Sequence, residues 1–385
     1  MHVALVAPLV WPVRDDRPPL GGVEVFLRDL IPGLAAAGVR VSLLAADGSH
    51  VEHAEVPRLG IDPERLALAQ LGATAEAERP DLADQQRAFG KVRDWCAARA
   101  GDLGLDVVHA HAFDAPAFDA LADLEGVCVM HTLHLPPIQP GVVRAARRAA
   151  RAGNVLVAVS AALARAWQDV GVPIAGVVPN GIDVASIAFG ASHRGYVLFA
   201  GRLSPEKGPE LAVDAAARAE LPLLLVGNIY DAAYFDAHLR GVVKERVELE
   251  LELGLGLDWT ARDGALPGGA TYIGHRERAE VLGLMAGAAA TLMPVRWDEP
   301  FGLVAIEAQA AGSPVVGFDR GALGEVVRNG QTGILVPGDD PVRLATSIRR
   351  AMSLDRAACR RWVEQRFSLR RMLAQYVALY REVAS

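Results

Sequence analysis

Glu299 and Glu307 stand eight positions apart in Glu299-Pro300-Phe301-Gly302-Leu303-Val304-Ala305-Ile306-Glu307, where a short apolar run over residues 288–294 gives way to a run of good helix formers. The pattern predicts a buried strand, then a helix from Leu303 to Ala311 that stops at Gly312. Glu299 then falls on the loop before the helix and Glu307 lies a little over one turn inside it. Carboxylates accept hydrogen bonds from sugar and ribose hydroxyls, and the unpaired N–H groups of a helix's first turn, here near Phe301 and Gly302, receive phosphate oxygens. Two carboxylates flanking orphan donors suit one ligand, a sugar joined to a nucleoside diphosphate.

A diphosphate also needs fixed positive charge. Arg202 and Lys207 lie five residues apart in Gly201-Arg202-Leu203-Ser204-Pro205-Glu206-Lys207-Gly208, a loop ahead of a helix starting at Pro209, so a guanidinium fork and an ammonium can reach one diphosphate. Earlier in the chain, Gly21 and Gly22 precede another helix and would let backbone approach a ligand without a Cβ in the way. The G-x-G-x-x-G spacing is missing, which argues against a nicotinamide dehydrogenase. His109, His111, His131 and His134 fall near the ends of two neighbouring strands. No acidic partner completes a metal set among them, so no metal is expected and a core or rim histidine is the ordinary reading of each.

Short β-rich runs alternate with helical patterns along the whole chain, which predicts α/β structure with parallel sheets covered by helices. One series runs Val3–Pro8, Val39–Leu44, Asp106–His109, Val127–His131 and Val155–Ser160; a second runs Tyr196–Ala200, Leu221–Val226, Ala270–Ile273, Ala289–Met293 and Ile334–Val336. The helix after Gly22 should bend at Pro32. Residues 48–80 lack periodicity and read as irregular structure on the acceptor side. Pro179-Asn180-Gly181-Ile182-Asp183 is turn-rich and marks the approach to a boundary near residues 185–195. Met372, Leu373, Tyr376, Leu379 and Tyr380 recur at helical spacing after Ser368, a candidate N-cap.

The stretch from Trp297 to Gly317, with the Arg202–Lys207 loop, the Leu20-Gly21-Gly22-Val23-Glu24 loop, Ser160 and Asn180-Gly181, resembles the retaining glycosyltransferases of family 4 over nearly the whole length. The resemblance implies two Rossmann-like domains facing a central cleft, the glycosyltransferase B architecture: residues 1–188 on the acceptor side, 189–366 binding the nucleotide sugar, and a helix over 367–385 returning to the first domain. It implies metal-independent transfer of a sugar, with retention, from a nucleoside-diphosphate sugar to a small-molecule, glycan or lipid-linked hydroxyl. Arg202 and Lys207 would stabilise the leaving diphosphate, Glu299 would orient the sugar, and Glu307 would hold the ribose. Gly302 and Leu303 would offer backbone donors, His131 at its strand end would position the sugar, and His111 and Asn180 would stand nearby. The chain departs from the pattern at Arg320, where many relatives carry a second glycine. A non-catalytic nucleotide-sugar binder or an epimerase on the same architecture remains the alternative.

Composition agrees with a folded enzyme of two domains: 385 residues, 51% of them apolar, and a net charge of −7 from 39 basic and 46 acidic residues. That balance argues against nucleic acid as the main partner. The three cysteines are widely separated, and no apolar run is long enough to span a bilayer, so a cytoplasmic location is expected. Arg144, Arg147, Arg148 and Arg151 make a basic helix face, which reads as an ordinary solvated surface before it reads as a peripheral membrane contact.

Overall fold

The computed structural model describes residues 1–16, 21–63, 66, 82–101, 104–245 and 269–384. Most of residues 64–80, part of the interval 48–80 expected to be irregular, and Leu20 lie outside the described residues. Contacts divide the chain into two compact units, Met1–Gly181 with Leu369–Ser385, and Ile182–Ser368.

The first unit holds a six-stranded sheet of β1 (His2–Val6), β2 (Arg40–Leu44), β3 (Val107–Ala110), β4 (Cys128–Leu133), β5 (Val155–Ala158) and β6 (Gly176–Val177). All neighbours are parallel, in the order β2-β1-β3-β4-β5-β6. The strands are mostly apolar, as expected of a parallel sheet covered on both faces, and every residue of β1 and β3 is buried. Helix α1 (Gly22–Ala36) turns Phe26, Leu27, Leu30, Ile31 and Leu34 inward at helical spacing. It runs through Pro32 as one element, at the cost of the bond that a residue with an N–H would make to the Arg28 carbonyl. The other described helices are α2 (Leu82–Ala97), α3 (Ala115–Leu121), α4 (Pro140–Arg151) and α5 (Ala161–Asp169). The side chain of Ser160 caps α5 by accepting from the Leu163 N–H at 3.0 Å. The terminal helix, Leu369–Val383, buries Met372, Tyr376 and Tyr380 in the same core as Val3, Leu5 and Phe26.

The second unit holds seven parallel strands: β7 (Val197–Ala200), β8 (Leu223–Val226), β9 (Val243–Glu245), β10 (Ala270–Tyr272), β11 (Ala290–Met293), β12 (Val315–Phe318) and β13 (Gly333–Val336), ordered β13-β12-β11-β7-β8-β10-β9. Strand β12 was not among the expected strands. It follows Gly312-Ser313-Pro314 directly, and those turn residues hide a four-residue apolar strand. Arg356 ties this unit together from a buried position, donating to the carbonyls of Gly190, Ala286 and Ala288 at 2.6–2.7 Å. A buried guanidinium is tolerated when its donors are met this way.

Candidate functional site

In the second unit, chain order runs outward from β7 in both directions, to β8 on one side and to β11 on the other. Open α/β sheets bind ligands beyond the carboxyl ends of the strands at such a reversal. The loop after β7 carries Arg202 and Lys207, and the loop after β11 carries Trp297, Glu299 and Gly302. The sheet therefore brings together residues that are nearly a hundred positions apart.

Lys207 Nζ donates to Glu299 Oε2 at 2.7 Å, and the Trp297 indole N–H donates to the same oxygen at 2.9 Å. The ammonium also sits 4.7 Å from the Trp297 ring centroid. Glu299 is thus fixed from two sides in a nearly buried position, its side chain only 11% exposed. Gly321 supports the loop from beneath: a Cβ there would meet the Glu299 backbone at 2.4 Å, and the neighbouring Ala322 N–H donates to the Glu299 carbonyl at 2.8 Å. Arg320, the departure from the family pattern, needs no such closeness and pairs with Asp339 at 2.9 Å.

Gly302 caps the helix over Leu303–Ala310 with φ of 96°, a left-handed conformation that favours glycine, and its carbonyl accepts from Ala305 at 2.9 Å. The N–H groups of Leu303 and Val304 lie in the first turn, where no helical carbonyl precedes them. Glu307, one turn on, accepts on Oε1 from both Nε and Nη2 of Arg278, each at 2.9 Å. Arg278 opens the helix Arg278–Gly287. Arg202 is more exposed, bonded to Glu206 at 3.2 Å with its guanidinium 4.7 Å from the Tyr230 ring centroid. Trp297 and Arg278 had been assigned no part from the sequence. The first lay inside the motif unremarked, and the second is 29 residues from its partner with no local pattern to join them.

In the first unit, chain order reverses between β1 and β3. Gly21 and Gly22 end the loop after β1, with Gly21 as the N-cap of α1 in an extended conformation, its N–H bonded to the Glu24 carboxylate at 3.1 Å. The space a Cβ would take at Gly21 is open. His111 follows β3, and its Nδ1 is 3.0 Å from His134 Nε2, just past β4. Phe26 of α1 packs on both rings, at 4.9 and 5.2 Å between centroids. His109 lies behind them, bonded to Tyr380 at 2.6 Å and to Thr132 at 2.7 Å.

The expectation for His131 is corrected here. It sits inside β4, wholly buried, stacked 4.6 Å from Phe118 and bonded to Asn154 at 3.1 Å, not at the strand's end. Strand alternation explains this. Thr132 and His134 share one face with His109, and His131 points to the other. The histidine that leaves the strand's carboxyl end half-buried is His134. Desolvation pushes both His131 and His134 down to about 4, and His111 well below its ordinary value, so all three are neutral near pH 7. Asn180 is buried in the turn after β6. On the basic face of α4, Arg147 caps the Val170 carbonyl and Arg148 pairs with Asp119, leaving Arg144 and Arg151 exposed.

Two parallel-sheet Rossmann-like units, one with carboxylates, a lysine and a helix start beyond its switch point, define a glycosyltransferase of the B architecture. The comparisons narrow the class. The profile "Glycosyltransferase Family 4" matches residues 20–186 and "Glycosyl transferases group 1" matches residues 189–367. A phosphatidyl-myo-inositol mannosyltransferase of Mycolicibacterium smegmatis is 31% identical over 354 residues, 88% of this chain and 83% of that protein. A D-inositol 3-phosphate glycosyltransferase 1 of Catenulispora acidiphila is 29% identical over 420 residues, 97% and 93% of the two chains. Among solved structures, Anabaena Alr3699/HepE in complex with UDP and glucose superposes with a TM-score of 0.68 at 19% identity, covering 99% of this chain and 100% of that one. The chain belongs to the family 4 glycosyltransferases. Among the described residues, no helix is long and apolar enough to cross a membrane.

Proposed function

We propose that the protein moves a sugar from a nucleoside-diphosphate sugar to an acceptor hydroxyl with retention of anomeric configuration. The observation that carries this reading is the Lys207–Glu299 contact beside the first turn of the Leu303 helix. It assembles cation, carboxylate and the N–H groups of a helix's first turn where a diphosphate joined to a sugar would need them. Lys207 and Arg202 stabilise the departing diphosphate, with the N–H groups of Leu303 and Val304 as further donors. Glu299 orients sugar hydroxyls and Glu307, steadied by Arg278, holds the ribose. At the carboxyl edge of the first sheet, His134 takes the sugar contact expected of His131, and the open space beside Gly21 leaves room for ligand. The C–O bond to the diphosphate breaks, a new C–O bond forms to the acceptor oxygen, and the acceptor's proton passes to the leaving phosphate. That route needs no enzymic nucleophile.

The donor class is supported by the neighbour solved with UDP and glucose. The cationic groups at the site can meet the diphosphate's charge, so activity is expected to survive EDTA; loss in EDTA that magnesium or manganese restores would overturn this. A thermal-shift screen against UDP-, GDP-, ADP- and dTDP-sugars, then turnover with and without an acceptor pool, tests the whole reading. Selective stabilisation and acceptor-dependent release of nucleoside diphosphate are expected. Release that ignores acceptor would point to hydrolysis, and stabilisation without any release to a binder.

A further inference from the structure

His111 and His134 share one hydrogen bond, and the surroundings decide which ring supplies its proton. A neutral imidazole carries one N–H and one bare nitrogen. His111 is wholly buried, and its Nε2 has no hydrogen-bond partner among the described residues. The nearest ring, His109 at 4.0 Å between centroids, has both nitrogens engaged by Tyr380 and Thr132 and offers nothing to it. Phe26 is the apolar ring against it.

Two proton arrangements are open. With the proton on His111 Nε2, a buried N–H would point at no acceptor among the described residues while Nδ1 accepted from His134. With the proton on His111 Nδ1, the N–H is used in the 3.0 Å bond and only a bare acceptor is left over. Orphaned buried N–H donors are the rarer and costlier defect. The second arrangement therefore prevails. It forces His134 Nε2 to accept, so the proton of His134 resides on Nδ1.

We infer that His111 is a positioning residue that locks His134 in its Nδ1–H tautomer, so that His134 presents a hydrogen-bond donor to a sugar hydroxyl oxygen beyond the carboxyl edge of the first sheet. The inference rests on the sugar contact of His134 in the proposed function. It adds which atom makes the contact, in which direction the bond runs, and which buried residue sets it. Phe26 closes the pair against α1, so every residue of the device lies in the first unit.

The test is nitrogen NMR of the full chain labelled with 15N-histidine, the His134 signals being assigned by their absence in His134→Gln. In the free protein at pH 7, His134 should show a protonated Nδ1 and a bare Nε2. His111→Asn, whose amide can still donate from near the Nδ1 position, should preserve that pattern and hold kcat within about threefold, while His111→Phe should scramble the tautomer and lower kcat about tenfold or more. The donor used is whichever of UDP-, GDP-, ADP- and dTDP-glucose or GDP-mannose the wild type turns over. A proton on His134 Nε2 in the wild type, or an unchanged tautomer in a folded His111→Phe, overturns the inference, and the wild-type spectrum decides even if that variant fails to fold. Full turnover in His134→Ala with the tautomer as inferred would overturn the ligand contact of the proposed function and support the proton placement.

Discussion

Replacing Lys207 by Met and Glu299 by Gln, singly and together, should reveal an interaction energy of about 1–3 kcal/mol between them. The size follows from the geometry. The two groups lie 2.7 Å apart with side chains 19% and 11% exposed, so screening is incomplete, yet each has given up much of its hydration. At an effective dielectric constant of about 20 the attraction alone is several kcal/mol, and desolvation offsets part of it. Lys207→Met alone leaves a nearly buried carboxylate supported by the Trp297 N–H, and should cost about 2–3 kcal/mol. For a chain of 385 residues that lowers the melting temperature by roughly 2–4 °C. Lys207→Met,Glu299→Gln should recover part of the loss, since no charge is left unpaired. Denaturant unfolding of the four proteins supplies the cycle. Turnover should behave differently: the double variant stays as impaired as Lys207→Met, about 100- to 1000-fold below wild type, because the diphosphate has lost its cation. A coupling below about 0.3 kcal/mol, or near-normal kcat in Lys207→Met, would refute the reasoning.

Arg278→Ala should raise KM for the donor about tenfold with kcat little changed, since it steadies the ribose carboxylate and touches no reacting bond; equal loss with ribose and 2′-deoxyribose donors would contradict that. Trp297→Phe removes one N–H bond to Glu299 and should lower kcat about three- to tenfold in steady-state assays. Tyr380→Phe deprives His109 Nδ1 of its partner, and should cost about 1–3 kcal/mol in unfolding experiments with kcat intact. The buried histidines also set an acid limit. Folded His131 and His134 titrate near 4 and unfolded histidine near 6.5, so the unfolded chain binds more protons between those values. Their contribution is complete above pH 6.5 and is lost as pH falls toward 4, by about 1.4 kcal/mol per pH unit for each. Melting temperatures should hold from pH 7.5 to about 6.5 and then fall toward pH 5, and less so in His131→Gln if that variant folds.

Much of this molecule is legible before folding because parallel strands declare themselves. Runs such as Val3–Val6 and Leu223–Val226 have no polar alternation, so length and flanking turns suffice to place them. The Leu303 helix and its stop before Gly312 were equally plain. What stayed hidden depends on the third dimension. Nothing in the chain joins Lys207 to Glu299 until β7 and β11 pair, and nothing joins Arg278 to Glu307 until their helices pack. The face that His131 takes relative to His109 and His111 is set by the β3–β4 register, which places His109 beside Met130 and cannot be read from either strand alone. The short strand Gly176–Val177 has too few residues to carry any period.

The account turns on a nucleoside diphosphate held in the second unit by Lys207 and the first turn of the Leu303 helix. Calorimetric titration of UDP, GDP, ADP and dTDP into the wild type and into Lys207→Met tests this directly. One nucleotide should bind the wild type selectively and bind the folded variant at least about tenfold more weakly; equal affinity for both proteins, or no binding of any nucleotide by folded wild type, would contradict it.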